Sequence, residues 1–381
     1  MTTEVKAIPT YSGKDWVIYN DDCVHAVAQL PSQSVGIGLF SLPFANLYIY
    51  SDSEADMGNA KNDAEFFQHY GYLMPELYRV MIPGRVCVVH CKDLPKYANR
   101  DDTAGLKDFP GDIIDAHEAV GFSFHSRVTI WKCPVVERER TNNNGLLHAT
   151  AERDRSQLRQ GMADYLLVFR KPPNGKLMSD APVLKDNDEY GVVTHAGGFS
   201  SYIGMVDPSD QSTHPSPYCR KTKGRDRSVD IWRRYAEPAW WDLTHLTPPQ
   251  FRAAQTLHQA GWSHGEIASV LGFGDTDAIW FEIDQRDVLN YRGVRKDDPG
   301  ERHICPLQMG VIERAIQTWS EPGDVVLSPF AGIGSELMGA IRLGRKAIGV
   351  ELKKSYCDQA RLHLETYESG KKNKTLFDDE E

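Results

Sequence analysis

Two short stretches carry residue types that could do chemistry. The first is "GLFSLPF" (38–44), where an apolar run ends in Ser41-Leu42-Pro43-Phe44. Proline cannot donate to a sheet ladder, so Pro43 ends a strand whatever else it does. The same four residues also leave a hydroxyl, a carbonyl and an aromatic face at one strand tip. The second is "DVVLSPFAGIGSELMGAIRLGRKAIGVEL" (324–352), which reads as strand, glycine loop, helix and strand. Gly332 and Gly334 let the backbone bend and approach a ligand where a Cβ would clash. Glu351, at the tip of the strand that follows, is placed to accept hydrogen bonds from two ribose hydroxyls. The dinucleotide pattern G-x-G-x-x-G is missing, because Glu336-Leu337-Met338 follow Ser335, and no GK[ST] is present. The chemistry expected is therefore binding of a nucleoside without a pyrophosphate.

The elements that would position these residues can be read from periodicity. Trp16–Tyr19 forms a strand, the turn Asn20-Asp21-Asp22 follows, and Val24, Val27 and Leu30 mark a helix before the strand through Phe40. Asp22 reads equally as a helix N-cap and as a contact to a bound adenine. Helical spacing then runs to Met81, a Pro-Gly turn follows, and a strand spans Val86 to His90. The cycle repeats with a helix, a stop at Gly121 and a strand ending near Trp131-Lys132. "ADYLLVFRKP" is a further apolar strand. Strands alternating with helices imply a doubly wound α/β sheet. It appears at both ends of the chain, so the middle reads as an insertion.

That middle is rich in Gly, Pro, Ser, Asp and Tyr. It contains a basic block, Arg220, Lys221, Lys223, Arg225, Arg227, Arg233 and Arg234, interleaved with Trp232 and Tyr235. Such a block is either a solvated loop or a surface for phosphate contact and stacking. Residues 246–273 read as helix, tight turn at Gly261, helix, with Ser263 and Glu266 at capping-box spacing. This helical hairpin either packs on its neighbours or places a recognition helix in a groove.

The bulk properties bound the answer. The 381 residues carry a net charge of −10, with 41% hydrophobic and 25% charged residues. These values fit a globular protein with a large core, and any nucleic-acid surface must be a local patch. The seven cysteines are scattered without a CxxC pair, so neither a zinc site nor a disulfide framework is expected. No membrane span or signal peptide is apparent, and a cytoplasmic location is expected.

With these residues in view, the sequence resembles the amino-methyltransferases of DNA in their circularly permuted β-group arrangement, and in detail a phage or prophage branch. "SPFAGIGS" (Ser328–Ser335) resembles the F-x-G-x-G loop that holds S-adenosylmethionine, with Phe330 against the cofactor, and "GVEL" resembles the ribose-binding strand end. His303, Pro306 and Gln308 match the H-x-x-P-x-Q segment that closes over the methionine end. "SLPF" falls where the family has its D/N/S-P-P-Y/F tetrapeptide. Two departures stand out: Ser328 replaces the acid common before Pro-Phe, and Leu42 replaces a proline. The resemblance implies a Rossmann-like sheet split into 1–134 and 302–366, with a strand plus a target-recognition region holding the basic block and the hairpin at 135–301; the charged end, 367–381, is expected to be a disordered tail. The resemblance further implies double-stranded DNA as substrate, no metal, and a homodimer. Ser41 Oγ and the Leu42 carbonyl would accept the two N–H groups of a flipped base's amine, Pro43 would stiffen the turn, and Phe44 would stack on the base. A serine in the first position goes in this family with cytosine N4, which is favoured over adenine N6. An inactive methyltransferase fold serving as a DNA-binding regulator is the alternative of another class, against which Gly332, Gly334 and Glu351 speak.

Overall fold

A computed structural model describes residues 9–43, 55–96, 105–130, 162–173 and 306–370, together with short stretches at 53, 103, 150, 152, 154–157, 239–240, 253, 256–257, 270 and 287–291. The N-terminal part contains β1 (Tyr11–Ser12), β2 (Trp16–Tyr19), α1 (Cys23–Ala28), β3 (Val35–Ser41), α2 (Asp63–Val80) and β4 (Met81–Lys92). There follow β5 (Leu94–Lys96), β6 (Gly105–Lys107), α3 (Phe109–Glu118), β7 (Ser123–Ile130), β8 (Asp164–Arg170) and β9 (Ala239–Trp240). The C-terminal part adds α4 (Met309–Trp319), β10 (Val325–Ser328), α5 (Ser335–Arg342), β11 (Lys346–Val350) and α6 (Lys354–Glu368).

The chain divides into two units, one of residues 1–127, 165–184 and 286–381, the other of 128–164 and 185–285. In the first unit the strand order is β1-β2-β11-β10-β3-β4-β8-β7. β2, β11, β10, β3 and β4 are mutually parallel. β1 pairs antiparallel with β2, and β5 with β6 in a small separate ladder. In the second unit, Thr129 and Ile130 of β7 pair in parallel with Ala239 and Trp240 of β9. The strand read from "ADYLLVFRKP", assigned from sequence to the middle segment, belongs largely to the sheet of the first unit.

The residues explain this arrangement. β3, "VGIGLFS", is buried at every position except its last, as a central parallel strand covered on both faces must be. α2 presents Phe66, Tyr70, Leu73 and Leu77 at helical spacing, all fully buried. Each such side chain contributes about 1.5–3 kcal/mol by leaving water.

One expectation is corrected here. Pro83-Gly84 does not form a turn before the strand; β4 already starts at Met81 and carries these two residues as an irregularity. The register passes from Val35–Met81 to Ile37–Val86, so the extra residues of β4 bulge. Pro83 has no N–H to lose, and Gly84 takes φ 84° while donating its N–H to Lys171 O at 2.8 Å. The basic block and nearly all of the hairpin at 246–273 lie outside the described residues.

Candidate active site

From β10 the chain crosses through α5 to β11 on one side, whereas from β3 it crosses through α2 to β4 on the other. The direction of winding therefore reverses between β10 and β3, which are direct neighbours. Ligands of open α/β sheets bind at such a switch point, beyond the carboxyl ends of the strands. The cleft found there encloses about 1140 Å³ of non-protein space, counting the part open to solvent. Its walls come from the ends of β3, β10 and β11, the turn before α1, a short helical turn at Met57–Asn59 and the approach to α4.

The glycine loop is built as its composition requires. Gly334 has φ 88° and precedes α5, and a Cβ there would stand 3.0 Å from the Ala360 Cβ of α6. Gly332 has φ 51°, and a Cβ would meet nothing within 4 Å. Both conformations disfavour other residues. The loop is tied to β11: Ala331 N–H donates to Val350 O at 2.8 Å, and Gly332 N–H donates to Glu351 Oε2 at 2.8 Å. The second oxygen, Oε1, accepts from Lys353 N–H at 2.8 Å. Burial pushes the Glu351 carboxyl up to about 7, with the two N–H donors opposing and nearby Asp56 adding to the rise. Burial pushes Glu336, in the first turn of α5, up to about 8.

At the tip of β3, Ser41 Oγ lies 3.1 Å from His90 Nδ1. The two are direct partners in the parallel β3–β4 register. Leu42 is 3% exposed and belongs to the hydrophobic core, and it also lines the cleft. Phe330 rests on Phe40 of β3 with ring centroids 5.8 Å apart.

Of the residues expected from sequence, Ser41, Leu42, Pro43, Asp22, Pro306, Phe330, Gly332, Ser335 and Glu351 line this one cleft. Asp22 is also the N-cap of α1, its Oδ1 accepting from Val24 N–H at 2.7 Å and His25 N–H at 3.1 Å. Gly334 supports the loop from behind. Ser328 and Gln308 are buried off the cleft wall, and neither Ser328 Oγ nor Gln308 Oε1 has a hydrogen-bond partner among the described residues. Phe44, His303 and the basic residues 220–234 lie outside the described residues. Sequence reasoning missed Asp56, Met57, Glu336 and Tyr356 as lining residues. His90 is buried, and its contact with Ser41 joins the polar residues that end the apolar runs of β3 and β4.

Among the described residues, no group of His, Cys, Asp or Glu could hold a metal ion, and no helix is long and apolar enough to cross a membrane. Among the described residues, Cys23, Cys87, Cys91 and Cys357 are buried and form no disulfide.

A family profile described as DNA methylase, of the N6/N4 type, matches residues 35–362. The type II methyltransferase M.BglII of Bacillus subtilis is 40% identical over 143 residues, covering 37% of this chain and 36% of that protein. The orphan methyltransferase M.BamHII of Bacillus amyloliquefaciens is 44% identical over 55 residues, covering 14% of this chain and 21% of that one. The chain thus aligns with about a third or less of the length of these relatives. Among solved structures, a protein of Thermus thermophilus described as a DNA modification methylase in complex with S-adenosyl-L-methionine is 17% identical, with 91% of this chain and 93% of that one covered at a TM-score of 0.49.

Proposed function

Because the chain belongs to the N6/N4 DNA methylase family, we propose that it transfers a methyl group from S-adenosylmethionine to the exocyclic amine of a base flipped out of double-stranded DNA, with cytosine N4 as the target. The observation that carries this reading is the meeting of Ser41 and the Gly332–Glu351 unit in one cleft at the switch point of the sheet.

The cleft suits such a cofactor in shape and charge. Glu351 keeps acceptor capacity for a ribose beyond its two backbone donors. The open space where a Gly332 Cβ would stand admits a ligand against the backbone. Among the described residues, Asp21, Asp22, Asp56, Glu336 and Glu351 line the cleft with Lys353 as the one cation, an excess of acids that favours a positively charged nucleoside over a pyrophosphate. When bound, S-adenosylmethionine supplies an activated methyl group carrying sulfonium charge.

The protein's own task is to make a poor nucleophile react. The lone pair of a base amine is delocalised into the ring, and accepting hydrogen bonds from both N–H groups draws the nitrogen towards a tetrahedral shape. The Ser41 hydroxyl can donate its proton to His90 Nδ1, which leaves Oγ free to accept from the amine. The Leu42 carbonyl supplies the second acceptor, and Pro43 fixes the direction of the turn. Catalysis then rests on positioning and electrostatics, and extrusion of the base removes it from the stack. The catalytic strand end precedes the cofactor loop in the chain, which supports the permuted β-group order. The phage-type branch, the homodimer and a DNA contact at the block containing Arg233 and Arg234 follow from the sequence resemblance.

Ser41→Ala tests the reading. Expected is a loss of kcat of about 10²–10³-fold, as for removal of one positioned polar group, with affinity for S-adenosylmethionine within about twofold of wild type. Lost cofactor affinity would show that Ser41 supports the fold of the cleft instead.

A further inference from the structure

We propose that Glu336 grips the α-ammonium group of the cofactor's methionine end, a part that the residue closing β10 cannot play in this chain because it is Ser328. The assignment rests on the reading of the cleft as an S-adenosylmethionine site and names the counter-charge for its amino-acid end. Ser328 carries no charge, is fully buried, and its hydroxyl lies off the cleft wall. Glu336 is the second residue of α5, two residues beyond Gly334, is 5% exposed, and lines the cleft.

No Lys, Arg or His pairs with Glu336 among the described residues; the groups acting on it are its own backbone N–H and the like charge of Glu351. Among the described residues lining the cleft, the other ionisable groups are Asp21, Asp22, Asp56, Glu351, Cys23 and Tyr356, with Lys353 as the one cation. Lys353 Nζ lies 4.8 Å from the centre of the Tyr356 ring. A buried carboxyl with no cationic partner is a costly group to keep charged. Burial accordingly holds it largely protonated at neutral pH in the free protein. A ligand cation placed against it restores the charge and expels the proton.

The ligand offers two cations, and catalysis separates them. The sulfonium loses its charge as the methyl group leaves, so a carboxylate against it would stabilise the ground state more than the transition state. The ammonium keeps its charge throughout and donates hydrogen bonds that an acid can accept. Glu336 is therefore assigned to the ammonium.

Calorimetry on wild type and Glu336→Gln tests this with three probes. S-adenosylmethionine carries both cations, S-adenosylhomocysteine only the ammonium, and 5′-methylthioadenosine neither. The substitution is expected to weaken the first two by a similar factor of at least about tenfold and to leave the third unchanged. Titrations at pH 6.5 in buffers of different ionisation enthalpy supply an independent readout. Proton release on binding S-adenosylmethionine should fall by about one proton in the variant, the remainder belonging to Glu351. Gln matches the neutral acid of the free protein in shape, and a melting curve checks that it folds. Equal weakening of all three probes would make Glu336 structural. Weakening of S-adenosylmethionine alone would place it at the sulfonium, and either result overturns the assignment, as does unchanged affinity for every probe. Wild-type protein that binds none of the three would overturn the cofactor reading itself.

Discussion

Replacing Glu351 by Gln should separate stability from cofactor binding, and its size can be worked from the cleft. Both carboxylate oxygens accept backbone N–H groups at 2.8 Å, from Gly332 and Lys353. A glutamine keeps one acceptor and turns an amide NH₂ towards the other donor, which costs about 1–3 kcal/mol for a buried hydrogen-bonding group left unmet. Against this stands the raised carboxyl. A group held at about 7 in the fold and at its ordinary value when unfolded penalises the folded state as pH rises through that window. The penalty reaches at most about 3 kcal/mol near neutrality, and the amide removes it. The two effects nearly cancel, so free Glu351→Gln protein should melt within a few degrees of wild type at pH 7. Its affinity for S-adenosylmethionine should fall by about 10–100-fold, because charge-assisted bonds to the ribose are lost. Differential scanning fluorimetry at pH 5 and 8 with calorimetry of the cofactor gives both numbers. Wild type should lose more stability than the variant between those pH values. A variant that melts far lower yet binds the cofactor normally would refute the reasoning, since Glu351 would then be a structural tie alone.

Two other outcomes follow from the same geometry. Gly332→Ala and Gly323→Ala both place a Cβ in open space at positive φ, 51° and 84°, so each should cost about 1–2 kcal/mol of stability in chemical denaturation. Only Gly332→Ala, on the cleft wall, should also weaken cofactor binding; equal binding by both would remove Gly332 from the site. His117 is fully buried, stacks on Phe169 at 3.9 Å between centroids, and donates from Nδ1 to Ile113 O at 2.9 Å. Burial lowers it to about 4, so the stability tied to its neutral form is complete above its ordinary value and is lost as pH falls from about 6.5 towards 4. Urea titrations should show wild type approaching or falling below His117→Gln in stability across that window, and parallel pH curves would count against a buried neutral histidine.

The order of elements was legible because β3, β10 and β11 are continuous apolar runs and α2 keeps its helical spacing over eighteen residues. The two-residue β1 and the β5–β6 ladder were not, because such short strands exist only through their partners. Pro83-Gly84 reads locally as a turn, yet the parallel pairing with β3 continues past it and turns it into a bulge. The site divides in the same way. Residues in contiguous motifs, Ser41 to Pro43 and Phe330 to Ser335, could be read directly. Asp56 and Met57 enter from a separate segment that only the fold brings over the cleft. Glu336 was in view as a break in a glycine pattern, and its burial beside Glu351 gives it meaning. The Ser41–His90 contact needed the strand register, which no spacing within either strand reveals.

The central claim is the modification of a base amine, and one measurement meets it directly. Purified protein is incubated with mixed-sequence duplex DNA and S-adenosylmethionine, and the DNA is digested to nucleosides for mass spectrometry. The account predicts N4-methylcytosine, formed by wild type and reduced by Ser41→Ala. N6-methyladenine in its place would keep the amine clamp and contradict the assignment to cytosine. No methylated nucleoside from protein that binds the cofactor would contradict the central claim.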